Sequence, residues 1–519
     1  MRKRIAFLGV LSAPAFLFAA VSITSIAQRP WMIDDHGILK SETELAITNA
    51  GAPFVASVSI SVPGRLPYSE DLGTLSTGEN RKIVHVAELM NSGDNVSFSI
   101  VQANQASGLV KAAAVTRTAA LMAVRHWKIY INHDIHQDIG YTDDQEYLCR
   151  QKWPGFFDTS MAIAGRGTAY AGDAQSRAAF ESSYQIYASA LRYRNADVFE
   201  RFRAFVANGQ LAFNASMGSI AQENMGAEEL VRSNYYSQRH LIDMLGGGST
   251  GILNMSDNEG FTWSMVDAMV GAGVRYSVHR PNWLDAWGSA GVYGRLMYLQ
   301  GRTPENKMLI WLGDHYGWDP CKLQSGTLTD SYNATMAFLN QLEADRNYPY
   351  DAFLSDFTNN GNDNTNVNPA VWARIKALND LGYAYPRFIS STLKPFFEYI
   401  DSAYGSVVPV RQGTIENSWN YGVGAEAYET GLAKANHDRV AAAEMFSCFA
   451  NAIVPDTRYA YQELWDAFHN AVLYDEHTFG PSWSWKRNTA IAASAASTRL
   501  LQSSLGALSR MIPAAGGTI

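Results

Sequence analysis

The chain has 519 residues, 47% of them apolar and only 17% charged, enough to bury a large core in two or three domains. A net charge of −8, with no basic run after the N-terminus, argues against nucleic acid or an anionic membrane surface as partner and leaves a small neutral or polar ligand. Cys149, Cys321 and Cys448 are too few and too scattered for a disulfide framework or a thiolate zinc site, and allow one disulfide at most.

The N-terminus, MRKRIAFLGVLSAPAFLFAAVSITSIAQ, runs from basic to apolar and then to small residues, with Ser25 and Ala27 at the −3 and −1 positions of a cleavage site. It reads as a secretory signal over 1–27, which makes the protein secreted or periplasmic with no stable membrane insertion after cleavage. An uncleaved anchor helix is the alternative, because the apolar stretch approaches the length of a span.

From 38 to 118 the pattern is short and strand-like: ELAITNAG, PFVASVSISV, RKIVHVAEL and NVSFSIVQA, separated by Gly, Pro, Asn and Ser. Such alternation predicts an antiparallel β-sandwich. From 124 to 392 apolar strands (HWKIYI, GQLAFNA, GVRYSV, KMLIWLG, YDAFLSDF) alternate with amphipathic helical stretches such as 182–209, the pattern of β/α units whose ligands sit beyond the C-terminal strand ends. Polar clusters fall at those ends: HDIHQD, DHYGWD and DFTNNGNDN. From 393 to 510 the chain reads as a helical bundle, with TGLAKANHDRVAAAEMFSCFANAIV and YAYQELWDAFHNAVLYD as long helices.

Two clusters carry chemistry. In INHDIHQDIGYTDD, His136 and Asp138 at i, i+2 on an extended segment point the same way and supply two of the three protein ligands of a catalytic zinc site. In YDEHTFGPSWSW, His477 follows Asp475 and Glu476 in an aromatic run. Read alone, the first also describes a surface hydrogen-bonded pair and the second a buried histidine with a carboxylate partner.

The order of the segments decides between these readings. IHQDIGYTDD, then GQLAFNASMGSIAQENMGAEELVRSNYYSQRHL, then NMSDNEGFTWSMVDAMVGAGVRY, then FLSDFTNNGNDN and finally DEHTFG resembles the class II α-mannosidases of glycoside hydrolase family 38, over roughly residues 124 to 500. The resemblance implies a seven-stranded β/α barrel followed by a three-helix bundle, with one zinc ion bound by His136, Asp138 and His477. It places Asp356 as the acid/base candidate and matches Asp257 to the family's I-D-P-F-G-x-S aspartate. Asp257, Asp363, Asn360, His315 and Tyr141 are assigned to an oligo- or polysaccharide substrate, with Asn359 and Asn364 near them.

One departure is serious: where the family has its nucleophilic Asp, this chain has Gln222, with Glu223 beside it. An amide forms no glycosyl ester. Either a one-residue shift brings in Glu223, or the chemistry is different (inversion or β-elimination), or the protein binds sugars without cleaving them. A zinc-dependent lyase on uronate glycans would use Tyr141 or His315 as base. Trp283, Trp287, Trp318, Trp483 and Trp485 lie in predicted loops, where ring faces can stack on sugars.

Overall fold

The computed structural model describes residues 21–102, 115–166, 173–245, 251–258, 260–281, 295–415, 418–478 and 484–512. The expected signal segment up to residue 20, the GGGS stretch at 246–249, and Trp283, Trp287 and Trp483 lie outside these residues. The chain forms two compact units: one built from the chain up to Lys128 with 332–351 and 380–387, the other from 129–331, 352–379 and 388–519.

Among its described residues the first unit contains seven strands: β1 Val21–Asp35, β2 Ile38–Asn49, β3 Phe54–Ser61, β4 Tyr68–Leu75, β5 Gly78–Ala87, β6 Asp94–Gln102 and β7 Val115–Leu121. They make two sheets, β1-β2-β5 and β4-β3-β6-β7, with neighbouring strands antiparallel. Alternate residues face one core, where Val58 and Ile60 of β3 meet Val84 and Val86 of β5 and Phe98 and Ile100 of β6. Val21 and Ile23 belong to the same core. Among the described residues the sandwich includes β1 from Val21, ahead of the expected 38, and a cut after Ala27 would fall inside β1, on the stretch that pairs Val21 to Ala27 with β2.

The second unit carries β8 Lys128–His133, β9 Phe180–Ser182, β10 Leu211–Phe213, β11 Ile252–Ser256, β12 Tyr276–Arg280, β13 Arg295–Gln300, β14 Lys307–Leu312, β15 Ala352–Phe357, β16 Arg387–Ser390 and β17 Val410–Gln412. These form a five-stranded sheet β11-β12-β14-β13-β17, a three-stranded sheet β15-β8-β16 and a parallel pair β9-β10. Strands β11, β12 and β14 run parallel, as β/α units require, whereas β13 returns antiparallel to β14. Among the described residues these sheets do not pair into the one closed ring expected of a barrel. Strands β9 and β10 have three residues each, too few for a long ladder, and the step from β10 to β11 is made by a bond from Ala215 N to Ile252 O at 2.6 Å.

The stretch 182–209 is two helices, Tyr184–Tyr193 and Ala196–Ala207, because Arg194 and Asn195 are extended between them. Towards the C-terminus, helices Ala427–Ile453, Tyr461–Tyr474 and Ser484–Ser509 pack on one another, and small buried residues such as Ala433 and Ala490 let the first and third approach closely. The three cysteines form no disulfide. No helix among the described residues is long and apolar enough to cross a membrane.

Candidate metal centre

Strand β8 stops at His133, and the irregular segment that follows it carries His136 and Asp138. Beyond His133 the backbone is pinned from outside: Asp134 N donates to Phe357 O (2.9 Å) and Asn364 N to His136 O (2.9 Å). The Asn364 amide adds bonds from Nδ2 to Asp138 O (2.8 Å) and Thr142 Oγ1 (2.7 Å), and its Oδ1 accepts from Trp153 Nε1 (3.0 Å). Asn364 sits at φ 45°, a left-handed conformation that Asn tolerates better than most residues. Gly140, at φ 98°, is required in the H-x-D-x-G segment because a Cβ there would run into the Gln145 side chain, whose Nε2 bonds Ile139 O at 2.8 Å.

Two other segments close on this one. Asp257 follows the last residue of β11 directly, its N donating to Arg280 O (2.9 Å), and takes the left-handed φ of 59°. His477 follows the helix Tyr461–Tyr474 and is fixed by its N donating to Ser219 O (2.9 Å). Its Nδ1 meets Glu476 Oε1 at 2.6 Å, and Glu476 in turn faces buried Lys486, Nζ to Oε2 3.4 Å. With Nδ1 turned to Glu476, Nε2 is left facing Asp138 and Asp257.

The result is a buried group of four: His136, Asp138, Asp257 and His477 each offer one ligand atom, all within 4.8 Å of one another. His136 Nε2 lies 3.1 Å from Asp138 Oδ1 and 3.8 Å from Asp257 Oδ2, and His477 Nε2 lies 3.4 Å from each of those oxygens. Four ligands at zinc's usual bond lengths stand about 3.4 Å apart. His136 Nε2, His477 Nε2 and Asp138 Oδ1 are buried without a hydrogen-bond partner, as is the second Asp257 oxygen, Oδ1. Two neutral imidazoles and two carboxylates make a donor set of charge −2 that fits a divalent cation. Burial opposes ionisation of Asp138 and Asp257, but the adjacent imidazoles outweigh it and hold both carboxyls below the ordinary range. Burial likewise lowers His136, yet Asp138 and Asp257 bring it up to about 9.

A third carboxyl faces the group. Tyr316 stacks on the His136 ring, centroids 4.0 Å apart, and its hydroxyl donates to Asp363 Oδ1 at 2.7 Å. That oxygen is 4.0 Å from His136 Nε2, and burial, with the nearby Asp138 carboxylate, pushes the Asp363 pKa up. Because Asp257 and Asp363 approach the same nitrogen at 3.8 and 4.0 Å, their facing oxygens are at most about 8 Å apart.

The structure thus brings together His136, Asp138 and His477, and adds to them Asp257, which the sequence assigned to the sugar, as a fourth residue of the group. The signal was in the sequence, an Asp directly after an apolar strand, but its partners were not. Asp356 is placed elsewhere, in a buried network: its Oδ1 accepts from Asn132 Nδ2 (2.8 Å) and its Oδ2 lies 3.2 Å from Arg280 Nε, while Arg280 also bonds Asp134 at 2.8 Å. Gln222 turns to the backbone, Nε2 donating to Gly260 O (2.9 Å) and Oε1 accepting from Thr262 N (3.3 Å), so it pins the loop that follows Asp257. Glu223 is not among the four. Asn360 is exposed, with its Nδ2 on Asn359 Oδ1, and Asn364 is the clamp described above rather than a hydroxyl-binding residue. Tyr141 stands 69% exposed, and His315 Nδ1 accepts from Gly317 N, so neither is set as a lyase base on the group. Trp318 packs edge-on against Phe353.

Fold and site together define the class of the second unit: a mixed α/β fold with a candidate metal centre where strand ends meet a C-terminal helical segment. Solved structures it is similar to include an α-mannosidase and a glycoside hydrolase family 38 protein. An α-mannosidase from Enterococcus faecalis V583 matches 74% of this chain and 43% of its own at 14% identity, with a TM-score of 0.60. A family 38 protein from Enterococcus faecalis matches 75% of this chain and 41% of its own at 12% identity, with a TM-score of 0.54. The chain spans less than half the length of either. No family model and no curated protein matches in sequence. The likeness to family 38 is one of fold, at low sequence identity.

Proposed function

We propose that the chain is a zinc-dependent glycosidase acting on a glycan related to α-mannosides, its separate sheets being arcs of the family's seven-stranded barrel. The observation that carries this reading is the buried quartet of His136, Asp138, Asp257 and His477, with ligand atoms at the separations of one tetrahedral ion. Zinc held there would supply a positive centre for two neighbouring hydroxyls of a sugar ring.

The chain's own residues then divide the work. Asp257 replaces the missing nucleophile: Oδ2 faces the imidazoles, Oδ1 has no partner, and the left-handed backbone aims the side chain. Its carboxylate attacks the anomeric carbon as Asp363, whose pKa burial raises and whose carboxyl Tyr316 orients, gives a proton to the leaving oxygen. Water then cleaves the glycosyl ester, with Asp363 accepting the proton back. Gln222 has no covalent role and holds the loop behind Asp257.

Hydrolysis of an aryl α-mannoside by the metal-loaded protein, abolished in Asp257→Asn, tests this reading. Binding without turnover would replace it with a non-catalytic sugar-binding protein. Secretion is part of the proposal, with the proviso that processing which preserves the sandwich must fall before Val21. N-terminal sequencing of the exported protein tests that point.

A further inference from the structure

A single buried amine bonds the chain on both sides of His477. Lys486, on the first turn of the helix Ser484–Ser509, donates from Nζ to the carbonyl of Glu476 and to that of Thr478 (2.8 Å), the residues immediately before and after the candidate ligand. The same Nζ lies 3.4 Å from Glu476 Oε2, while Glu476 Oε1 meets His477 Nδ1. We infer that Lys486 is a positioning residue of the metal centre: it fixes the place and ring orientation of His477 and, through Thr478, ties that ligand to the segment of His136 and Asp138. The inference rests on the metal-dependent reading above and adds a residue outside the quartet on which metal affinity depends.

Three observations carry it. His477 lies beyond the end of the helix Tyr461–Tyr474, so helical hydrogen bonds do not hold it; the bond of its N to Ser219 O and the contacts of Lys486 do. Glu476 Oε2 also accepts from Thr478 N (3.0 Å) and contacts the Thr478 hydroxyl, so the carboxylate behind the imidazole is gripped from two sides. That hydroxyl further reaches Ile139 O (3.2 Å), and Ile139 directly follows Asp138. One run of contacts therefore leads from Lys486 through Thr478 to the other ligand segment.

The residue type agrees with this role. Burying an amine is costly unless its donors are matched, and an apolar side chain of similar length would fill the same space. An ammonium carries three donors, and here three acceptors, all on the two neighbours of His477, meet it.

The test uses the full chain in wild type, Lys486→Met, Thr478→Val and Asn436→Ala. Zinc affinity is read by competition with a metal-sensitive dye, ligand geometry by the visible bands of the cobalt-loaded protein, and stability by thermal denaturation of the metal-free form. Asn436 is the control: buried and bonded to Ala490 O (2.9 Å) on the helix of Lys486, its loss loosens the bundle without removing a bond to Glu476 or Thr478. Lys486→Met should weaken zinc binding about tenfold or more and shift the cobalt bands, while Asn436→Ala changes neither. Thr478→Val, which removes one hydroxyl, should move both in the same direction and keeps the inference testable if Lys486→Met does not fold. Wild-type affinity and bands in Lys486→Met, or equal weakening in Asn436→Ala, overturns the inference and spares the metal centre. A wild type that holds no zinc overturns the centre and the inference with it. Zinc bound by wild type and weakened in Lys486→Met, without hydrolysis of an aryl α-mannoside, keeps the inference and removes the glycosidase reading.

Discussion

Asp257 Oδ2 and His477 Nε2 lie 3.4 Å apart, so a carboxylate at the end of β11 and an imidazole beyond the helix Tyr461–Tyr474 share one buried point. That pairing completes a candidate metal group of four without any carboxylate at position 222. Asp257 faces the two imidazoles, and Gln222 holds the loop behind it.

The first prediction follows from that arrangement. Gln222→Glu replaces the donor to Gly260 O with a buried carboxylate facing a carbonyl, which costs about 1–3 kcal/mol and adds no turnover. Denaturant titration and the aryl mannoside assay check both parts. A gain in turnover would return the nucleophile to position 222.

Asn364 is predicted to act through geometry. Asn364→Ala removes the clamp on Asp138 O and Thr142 and puts a Cβ residue at φ 45° without the local bonds that favour Asn there. Asn364→Gly removes the clamp without backbone strain. Both variants should weaken metal binding about tenfold or more, as loss of a supporting contact does, with the alanine variant also the less stable. Competition against a metal-sensitive dye reads the affinity, and thermal denaturation the stability.

Asp363→Asn keeps the Tyr316 contact but has no proton to give. Turnover of glycosides with poor leaving groups should fall about 10²–10⁴-fold, while a dinitrophenyl glycoside, which needs no protonation, should lose far less. Equal losses on both would assign Asp363 to structure alone. The parallel Asp356→Asn variant should act through stability, since Asp356 is tied to Arg280 and Asn132.

His133 carries a pH prediction. Its Nδ1 lies 3.1 Å from Phe357 O, its Nε2 accepts from Asn368 N at 2.7 Å, and burial lowers its pKa to about 4. Between pH 6.5 and 4 the unfolded chain binds a proton that the folded chain refuses, so stability is lost as pH falls through that window, by up to about 3 kcal/mol. Urea unfolding across pH 4 to 8 should show this slope in wild type and a shallower one in His133→Gln.

Strands with apolar alternation or continuous apolar runs were legible: KMLIWLG is β14 and YDAFLSDF contains β15. Strands β4 (YSEDLGTL) and β7 (VTRTAAL) were not, because much of their surface is solvated and their sequences are polar or small. Strand β13 was missed because an antiparallel return breaks the β/α rhythm that made its neighbours readable. At the site, His136, Asp138 and His477 could be read because segment order resembles a family. The place of Asp257 beside the two imidazoles, and that of Asp356 in the Arg280 network, depend on contacts between distant segments that neither periodicity nor spacing encodes.

Metal content of the purified protein after dialysis against zinc, in wild type and in His136→Ala, Asp257→Ala and His477→Ala, tests the central claim most directly. About one zinc per chain in wild type, lost from all three variants while each stays folded by circular dichroism, is the predicted result. A wild-type chain that retains no metal, or an Asp257→Ala chain that holds one as tightly as wild type, would contradict the four-ligand centre and with it the role given to Asp257.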